Sequence, residues 1–202
     1  MNDGSTDNTK EIIEAFVQDK NNFSSLSLDQ NLGKGEAVRY GFNWAIQKSF
    51  PIVAFWDADL STPLIELIRM INHINEGRYL WIFGSRIKTL DKNIQRKIHR
   101  HYIGRFFATF ISIFLKIPLY DSQCGAKCFY VTPELKSILK NPFITRWLFD
   151  VELILRMQNH MKIKDYIYEM PLNEWTETPG GKITLIDGFV VLLQIIKLSI
   201  KK

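Results

Sequence analysis

The chain has 202 residues, of which 46% are hydrophobic and 23% are charged. This length and composition suit one globular domain with a substantial core, and they exclude a wholly disordered chain. The formal net charge of +5 permits an anionic partner such as a nucleic acid, a lipid headgroup or a phosphorylated substrate, and does not choose among them.

The start of the chain reads as a loop. Asn2, Asp3, Gly4 and Ser5 are polar, so we expect no signal peptide. No strand precedes this loop to anchor it, which predicts that the chain is a fragment and that its first strands lie before Asn2. A helix is expected to begin at Thr6 or Asp7 and to reach about Lys20. Its buried side is expected to carry Ile12, Ile13, Phe16 and Val17.

Strands and helices alternate after this first helix. A short strand over 24–28 precedes a helix that Pro51 closes. The apolar strand 52–56 precedes a helix after Pro63, and a further apolar strand covers 79–83. This alternation predicts an α/β fold with a mostly parallel sheet flanked by helices.

Two carboxylates, Asp57 and Asp59, follow the apolar strand. Because alternate residues of a strand point to the same face, both would aim into one site. The carboxyl end of a strand is also where open α/β sheets bind ligands. Adjacent carboxylates repel unless a cation lies between them, and Mg²⁺ or Mn²⁺ prefers such oxygen ligands. A loop with two solvated acids is the alternative.

Cations and aromatic residues are concentrated between Arg86 and Lys116, where eight Lys and Arg side chains oppose only Asp91. Apolar residues recur at every fourth position, at Ile94, Ile98, Tyr102, Phe106, Phe110 and Phe114. This pattern predicts a basic amphipathic helix or helix pair over 93–116 that lies in a membrane interface. The alternative is a core helix whose basic face is solvated.

The apolar run over 183–200 is too short to span a membrane, and Gln194 and Lys197 interrupt it. We expect a second interfacial helix or the stump of a longer segment. Cys124 and Cys128 are too few for a disulfide framework or a zinc site, so they are expected to be reduced and buried.

Four other segments carry candidate binding residues. The run 33–35, Gly-Lys-Gly, precedes a helix, where backbone N–H groups and a lysine can meet a phosphate. The run 121–127 combines polar side chains with a glycine, as in loops that approach a ligand closely. Asp150 and Glu152 lie inside an apolar segment, where Asp150 is alternatively a helix N-cap. A Pro-Gly turn lies in 175–182, and a plain surface turn is its alternative.

Taken together and in order, these motifs resemble the inverting family 2 glycosyltransferases, especially the branch of dolichyl-phosphate glucosyl- and mannosyltransferases and their bacterial relatives. The matching segments are 2–7, 31–39, 57–59, 84–86, 121–127, 147–152 and 175–182. The resemblance implies a GT-A type, Rossmann-like fold in one catalytic domain over 1–202. The first strand of the family, with its Pro-x-Tyr-Asn-Glu-like motif, is absent, so the domain is expected to be incomplete at its N-terminus.

The resemblance also assigns roles to residues. By it, Asp3 contacts the nucleotide, and Asp57 and Asp59 hold the metal and the sugar diphosphate. A phosphate acceptor is already largely anionic at pH 7 and has little need of a base; if a base acts, Asp150 is the candidate. Arg86 and the basic helix after it would receive the lipid phosphate. The other implied substrate-binding residues are Lys34, Arg100, Gln123, Lys127, Trp175 and Lys182.

The implied reaction transfers a hexose from a UDP- or GDP-sugar to a dolichyl or undecaprenyl phosphate, with inversion. The protein would be peripheral to the cytoplasmic face of a membrane and would not bind nucleic acid. A family 2 transferase that acts on a sugar hydroxyl in surface polysaccharide synthesis is the first alternative, and an inactive remnant is the second. An aspartyl phosphatase is disfavoured, because no later paired-acid motif follows 57–61.

Overall fold

A computed structural model describes residues 1–178 and 185–200, except for the side chains of 99, 100, 185–189, 192 and 200. Its helices are α1 (Thr9–Val17), α2 (Lys34–Gln47), α3 (Ile65–Asn75), α4 (Ile98–Leu115), α5 (Pro133–Ile138), α6 (Phe149–Gln158) and α7 (Leu185–Ile200). Its strands are β1 (Ile52–Trp56), β2 (Trp81–Ser85), β3 (Asn93–Gln95), β4 (Ala126–Tyr130), β5 (Ile167–Pro171) and β6 (Glu174–Thr176).

The main sheet has the strand order β1-β4-β2-β5. Strand β4 runs antiparallel to both of its neighbours, and β2 and β5 are parallel. Three of these four strands therefore point the same way, and helices flank the sheet, which confirms the predicted α/β class. Strands β3 and β6 form a separate parallel pair in which Ile94 lies opposite Trp175.

Strand β4 is central to the core because its side chains pack on both faces of the sheet. The Phe129 ring lies with its centroid 5.1 to 5.9 Å from those of Phe42, Trp81 and Phe83. Cys128, the preceding residue, belongs to a second cluster on the other face, which α3 covers. Both cysteines are free, buried thiols, as predicted.

The first helix differs from its prediction. Helix α1 has no buried residue, and Ile12 and Phe16 are exposed. The Phe16 ring packs edge-on against Phe23 in the following loop rather than against the sheet. The strand expected over 24–28 is reduced to one parallel bridge between Asn2 and Ser27.

The first predicted interfacial helix is shorter than expected. Residues 93–95 of the first segment form β3, and α4 begins only at Ile98. Helix α7 covers 185–200 of the second segment, and 183–184 lie outside the described residues. In the part of the chain that the structure describes, no helix has both the length and the apolar character needed to cross a membrane.

Truncating Phe129 tests this account of the core. Phe129→Ala should lower the free energy of unfolding by about 3–5 kcal/mol, because it removes a fully buried ring and leaves a cavity among the aromatic side chains around it. Urea denaturation followed by circular dichroism measures the change. Tyr130→Ala is the matched control, since the next side chain is exposed and its loss should cost much less. Equal losses for the two variants would contradict the core assignment.

Candidate active site

The turn after β1 carries the two predicted metal ligands. Strand β1 ends at Trp56, so Asp57 and Asp59 lie in a turn, and the alternation of a strand does not align them as predicted. The Asp57 N–H donates to the Gly125 carbonyl oxygen at 2.8 Å. The Lys34 ammonium forms an ion pair with Asp57 Oδ1.

Asp59 is held by its own hydrogen bonds. Its Oδ1 accepts from the Ser61 N–H at 2.9 Å, and its Oδ2 accepts from the Thr178 hydroxyl at 2.8 Å. Burial opposes ionisation, but these hydrogen bonds and the charge of Lys34 outweigh it, so the pKa of Asp59 lies below its usual value. Lys34 therefore acts on both carboxylates and brings them into one electrostatic site.

Asp57 and Asp59 could together hold a divalent cation. Their hard oxygen donors suit Mg²⁺ or Mn²⁺. Among residues 1–178 and 185–200, no group of three or more His, Cys, Asp or Glu side chains is arranged to hold a metal. Two carboxylates are the protein's share in many Mg²⁺ sites, where substrate phosphates and waters complete the coordination. The donor set therefore fits such an ion.

Gly125 is required for the position of Asp57. A Cβ atom on Gly125 would lie 1.8 Å from Asp57 Oδ2 and 2.0 Å from its Cγ. Any larger residue would have to displace the carboxylate. The loop 121–125 therefore approaches Asp57 as closely as it does only because it contains glycine here.

Arg86 and Asp121 form a buried bidentate ion pair. The Arg86 Nε and Nη2 atoms donate to the two Asp121 carboxylate oxygens at 2.6 and 2.7 Å. Burial disfavours both charges, but their mutual attraction outweighs it, so the pKa of Asp121 is lowered and that of Arg86 is raised. The predicted substrate-binding residue Trp175 is buried, and its ring lies 5.2 Å from the Arg86 guanidinium. It contacts Arg86 and is not part of the cavity wall.

Lys127 and Asp150 form a second buried pair. Lys127 is fully buried; its ammonium donates to the Cys124 carbonyl at 2.6 Å and lies 3.2 Å from Asp150 Oδ2. Burial raises the pKa of Asp150, and the charge of Lys127 offsets part of this effect. Helix α6 begins at Phe149, so Asp150 lies in its first turn and is not the N-cap. Lys127 thus reaches the site only through Asp150, instead of contacting a substrate as expected.

A cavity of about 300 Å³ joins these groups. One part of its wall is polar and carries Lys34, Asp57, Arg86, Asp121, Ser122, Gln123 and Asp150. The other part is apolar and is formed by Ile103, Phe107, Ala108 and Ile111 of α4 with Val190 and Val191 of α7. The site therefore connects a charged region at the strand ends with an apolar region between two helices.

Arg96 lies in the wall of the same cavity without an ion-pair or hydrogen-bond partner among the described residues. It is half-buried. Burial and the neighbouring charge of Arg86 lower its pKa, although Asp121 and Glu177 partly oppose this. A cation in this position favours an anionic ligand.

Asp3 lies outside the cavity wall. Its Oδ2 accepts from Asn31 Nδ2 at 3.1 Å, and Arg146 Nη2 donates to Asn31 Oδ1 at 3.0 Å. These contacts join the loop at 2–7 to the loops before α2 and α6. Of the remaining predicted residues, Lys182 and the side chain of Arg100 lie outside the described residues.

Sequence reasoning missed Arg96, Gly125 and Thr178 as individual members of the site. Gly125 had a signal, since a glycine inside a predicted ligand loop marks a close approach. Thr178 adjoins the predicted Pro-Gly turn, but nothing in the sequence pairs it with Asp59. Arg96 cannot be told apart from the other cations of its stretch without knowing which of them have partners.

Comparison with known proteins shows to which protein family this chain belongs. Residues 1–135 match the model of glycosyl transferase family 2, and the chain belongs to this family. It is 32% identical over 204 residues to a dolichyl-phosphate β-glucosyltransferase of Dictyostelium discoideum, covering 98% of this chain and 59% of that protein. A dolichyl-phosphate β-glucosyltransferase of Saccharomyces cerevisiae is 30% identical over 203 residues, covering 92% and 58% of the two chains.

The resemblance to the dolichyl-phosphate branch is thus confirmed, although the chain spans only about three fifths of the length of these relatives. The fold is similar to that of glucosyl-3-phosphoglycerate synthase from Mycobacterium tuberculosis, solved in complex with phosphoglyceric acid. The TM-score is 0.62 at 18% identity, covering 96% of this chain and 63% of that one. This likeness confirms the GT-A type fold.

Removing the Asp121 charge tests the buried ion pair. Asp121→Asn should lower the free energy of unfolding by about 3–5 kcal/mol at pH 7, because it leaves the buried Arg86 charge without a counter-ion. The folded-state pKa of Asp121 is lowered, so its charge stabilises the fold above about pH 4 and this contribution is lost as the pH falls further. Urea denaturation should show the difference between parent and variant shrinking below about pH 4.

The control for this measurement is Asp165→Asn, which changes an exposed carboxylate and should leave stability within experimental error. A difference between the parent and Asp121→Asn that stayed constant down to the lowest accessible pH would show that the ion pair does not account for it.

Proposed function

We propose that this chain is the catalytic part of a glycosyltransferase that moves a hexose from a nucleotide sugar to a polyprenyl phosphate, with inversion. The observation that carries the proposal is the cavity in which a charged region at the strand ends meets an apolar region between α4 and α7. A sugar diphosphate needs the first region, and a prenyl chain needs the second. The names of the dolichyl-phosphate relatives support the same reaction.

The donor would bind at the turn after β1. Asp57 and Asp59 would hold Mg²⁺ or Mn²⁺ together with the diphosphate. Such an ion, when bound, stabilises the negative charge of the leaving nucleoside diphosphate. Lys34 opens α2, where the positive end of the helix dipole also favours a phosphate. Asp3 would contact the nucleotide, as the resemblance implies.

The acceptor phosphate would bind beside Arg96. This guanidinium is half-buried and has no partner among the described residues, so an incoming phosphate would supply the missing anion. Arg86 lies close enough to lower the pKa of Arg96, but its own charge is balanced by Asp121. The second pKa of a phosphate monoester is about 6, so the acceptor is already largely anionic at pH 7. Its oxygen can then attack the anomeric carbon as the bond to the diphosphate breaks, with little need for a base.

The membrane surface would meet α4 and α7. Exposed apolar side chains form a stripe along α4, at Ile98, Tyr102, Phe106, Phe110 and Ile113. Helix α7 adds Val190, Leu193 and Ile196, and Trp147 is exposed at the rim of the cavity. Apolar side chains beside basic ones favour the interface of an anionic membrane. Free thiols at both cysteines are compatible with the reducing, cytoplasmic side.

A transfer assay tests the proposed reaction. The protein is incubated with Mn²⁺, polyprenyl phosphate and radiolabelled UDP-glucose or GDP-mannose, and we expect label in the organic phase. Gly125→Ala should lower this rate by about 100-fold, because the new Cβ displaces the Asp57 carboxylate. Gly41→Ala is the control, since a Cβ there meets nothing within 4 Å.

Label that appeared only in water-soluble saccharides would favour the alternative, a transferase that acts on a sugar hydroxyl. A Gly125→Ala protein that was as active as Gly41→Ala would contradict the role given to Asp57.

Substitutions in the apolar stripe of α4 test the proposed docking on a membrane. Replacing Tyr102, Phe106 and Phe110 together by Ser should release most of the protein from vesicles of phosphatidylcholine and phosphatidylserine, because the exposed rings would no longer enter the interface. Co-sedimentation measures the bound fraction. The control replaces Leu64 and Ile68, which are exposed near α3 on the other face of the sheet, and should leave binding unchanged. Equal partitioning of the stripe variant and the parent would return α4 to a purely structural role.

A further inference from the structure

Two buried polar atoms in residues of the cavity wall have no hydrogen-bond partner in the described structure. They are Asp150 Oδ1 and Ser122 Oγ. Asp150 is 5% exposed and Ser122 is 1% exposed, and both residues line the cavity that contains Lys34 and Asp57. Buried polar atoms are nearly always paired, and leaving one unpaired is costly. These two atoms therefore point to a ligand that would pair with them.

The buried ammonium of Lys127 fixes the position of both groups. It donates to the Cys124 carbonyl, two residues after Ser122, and it contacts Asp150 Oδ2. The rings of Phe55 and Phe83 lie 5.3 and 5.1 Å from the same ammonium. Lys127 therefore occupies one oxygen of Asp150, leaves the other without a partner, and ties the Ser122 loop to the first turn of α6.

The chemistry of the pair selects a neutral ligand group. An ionised carboxylate oxygen only accepts hydrogen bonds, and it repels a phosphate. The Ser122 hydroxyl can donate or accept. A hydroxyl-bearing ligand satisfies both atoms, whereas a second phosphate or a purely apolar group would leave Asp150 unpaired.

A role as general base explains the unpaired oxygen of Asp150 less well than hydrogen bonding to a ligand does. The acceptor phosphate is largely anionic at pH 7 and has little need to lose a proton during the transfer. The sugar that is transferred, in contrast, brings several hydroxyl groups to the cavity beside Asp57. We propose that Asp150 and Ser122 bind hydroxyl groups of the donor hexose and so discriminate the nucleotide sugar from the bare nucleoside diphosphate. This inference rests on the proposed glycosyl transfer.

Calorimetry with matched ligands tests the inference. The affinities of UDP and UDP-glucose, and of GDP and GDP-mannose, are measured in the presence of Mn²⁺ for the parent, Asp150→Asn and Ser122→Ala. The parent should prefer the sugar nucleotide that it uses. This preference should fall by about tenfold to 100-fold in Asp150→Asn, the effect of losing a hydrogen bond to a charged group. Affinity for the nucleoside diphosphate should stay the same.

Deoxy analogues provide a measurement that does not depend on the folding of Asp150→Asn, which leaves Lys127 without its counter-ion. The affinities of UDP-glucose analogues that each lack one hydroxyl are measured for the parent and for Ser122→Ala. The analogue that lacks the hydroxyl bound by Ser122 should bind more weakly to the parent and with no further loss to Ser122→Ala. Asp165→Asn, a change at an exposed carboxylate, should behave like the parent with every ligand.

The outcomes separate this inference from the proposed function. Failure of the parent to bind any nucleotide or sugar nucleotide would overturn the proposed function and the inference with it. Tight binding and transfer, with the same preference for the sugar nucleotide in all variants, would overturn the inference alone. An Asp150→Asn protein that kept the preference but lost the transfer rate would also overturn it, in favour of a base.

Discussion

The buried ammonium of Lys127 is the contact on which the rest of the site depends. A charge taken out of water is stable only when it is paired and hydrogen-bonded, and otherwise costs several kcal/mol. Lys127 meets this requirement with the Cys124 carbonyl and the Asp150 carboxylate. These partners come from a loop after α4 and from the first turn of α6. The cost of burying the lysine therefore fixes two separate segments of the chain against each other.

The loop 121–125, which this ammonium anchors, positions the other charged groups in turn. Asp121 at its start pairs with Arg86, and Gly125 at its end lies against Asp57. The first contact depends on the attraction of opposite charges, and the second depends on the absence of a side chain at Gly125. Because the same five residues supply both contacts and lie beside the Lys127 pair, one short loop connects the Arg86 end of the cavity with the Asp57 end.

Sequence patterns predicted which residues meet at the site more accurately than they predicted how those residues are arranged there. The apolar strand before Asp57 located the acidic segment, but the strand ends at Trp56 and both carboxylates lie in the turn that follows. Lys127 was expected to bind substrate, as the family resemblance implies. Its place opposite Phe55 and Phe83 in the register of β4 buries it. An antiparallel strand between two parallel ones depends on distant pairing that periodicity does not contain. Periodicity likewise gave α1 an apolar side without revealing that no residue of this helix is fully buried.

The cations of the site differ in whether the protein supplies an ion-pair partner for them. Those with a partner stabilise the fold, and the one that has no partner within the residues described is available to bind a ligand. Arg86 and Lys127 have carboxylate partners, and their burial is part of the fold. Arg96 has no partner in the described part of the chain, although it is half-buried beside Arg86. On the acidic side, Asp121 is fully engaged, whereas Asp150 keeps one free oxygen. A fold that satisfies most of its buried charges tolerates such exceptions where a ligand completes them. In the proposed function, the unpaired cation and the unpaired carboxylate oxygen would select an anionic acceptor and a hydroxyl-bearing donor for one cavity.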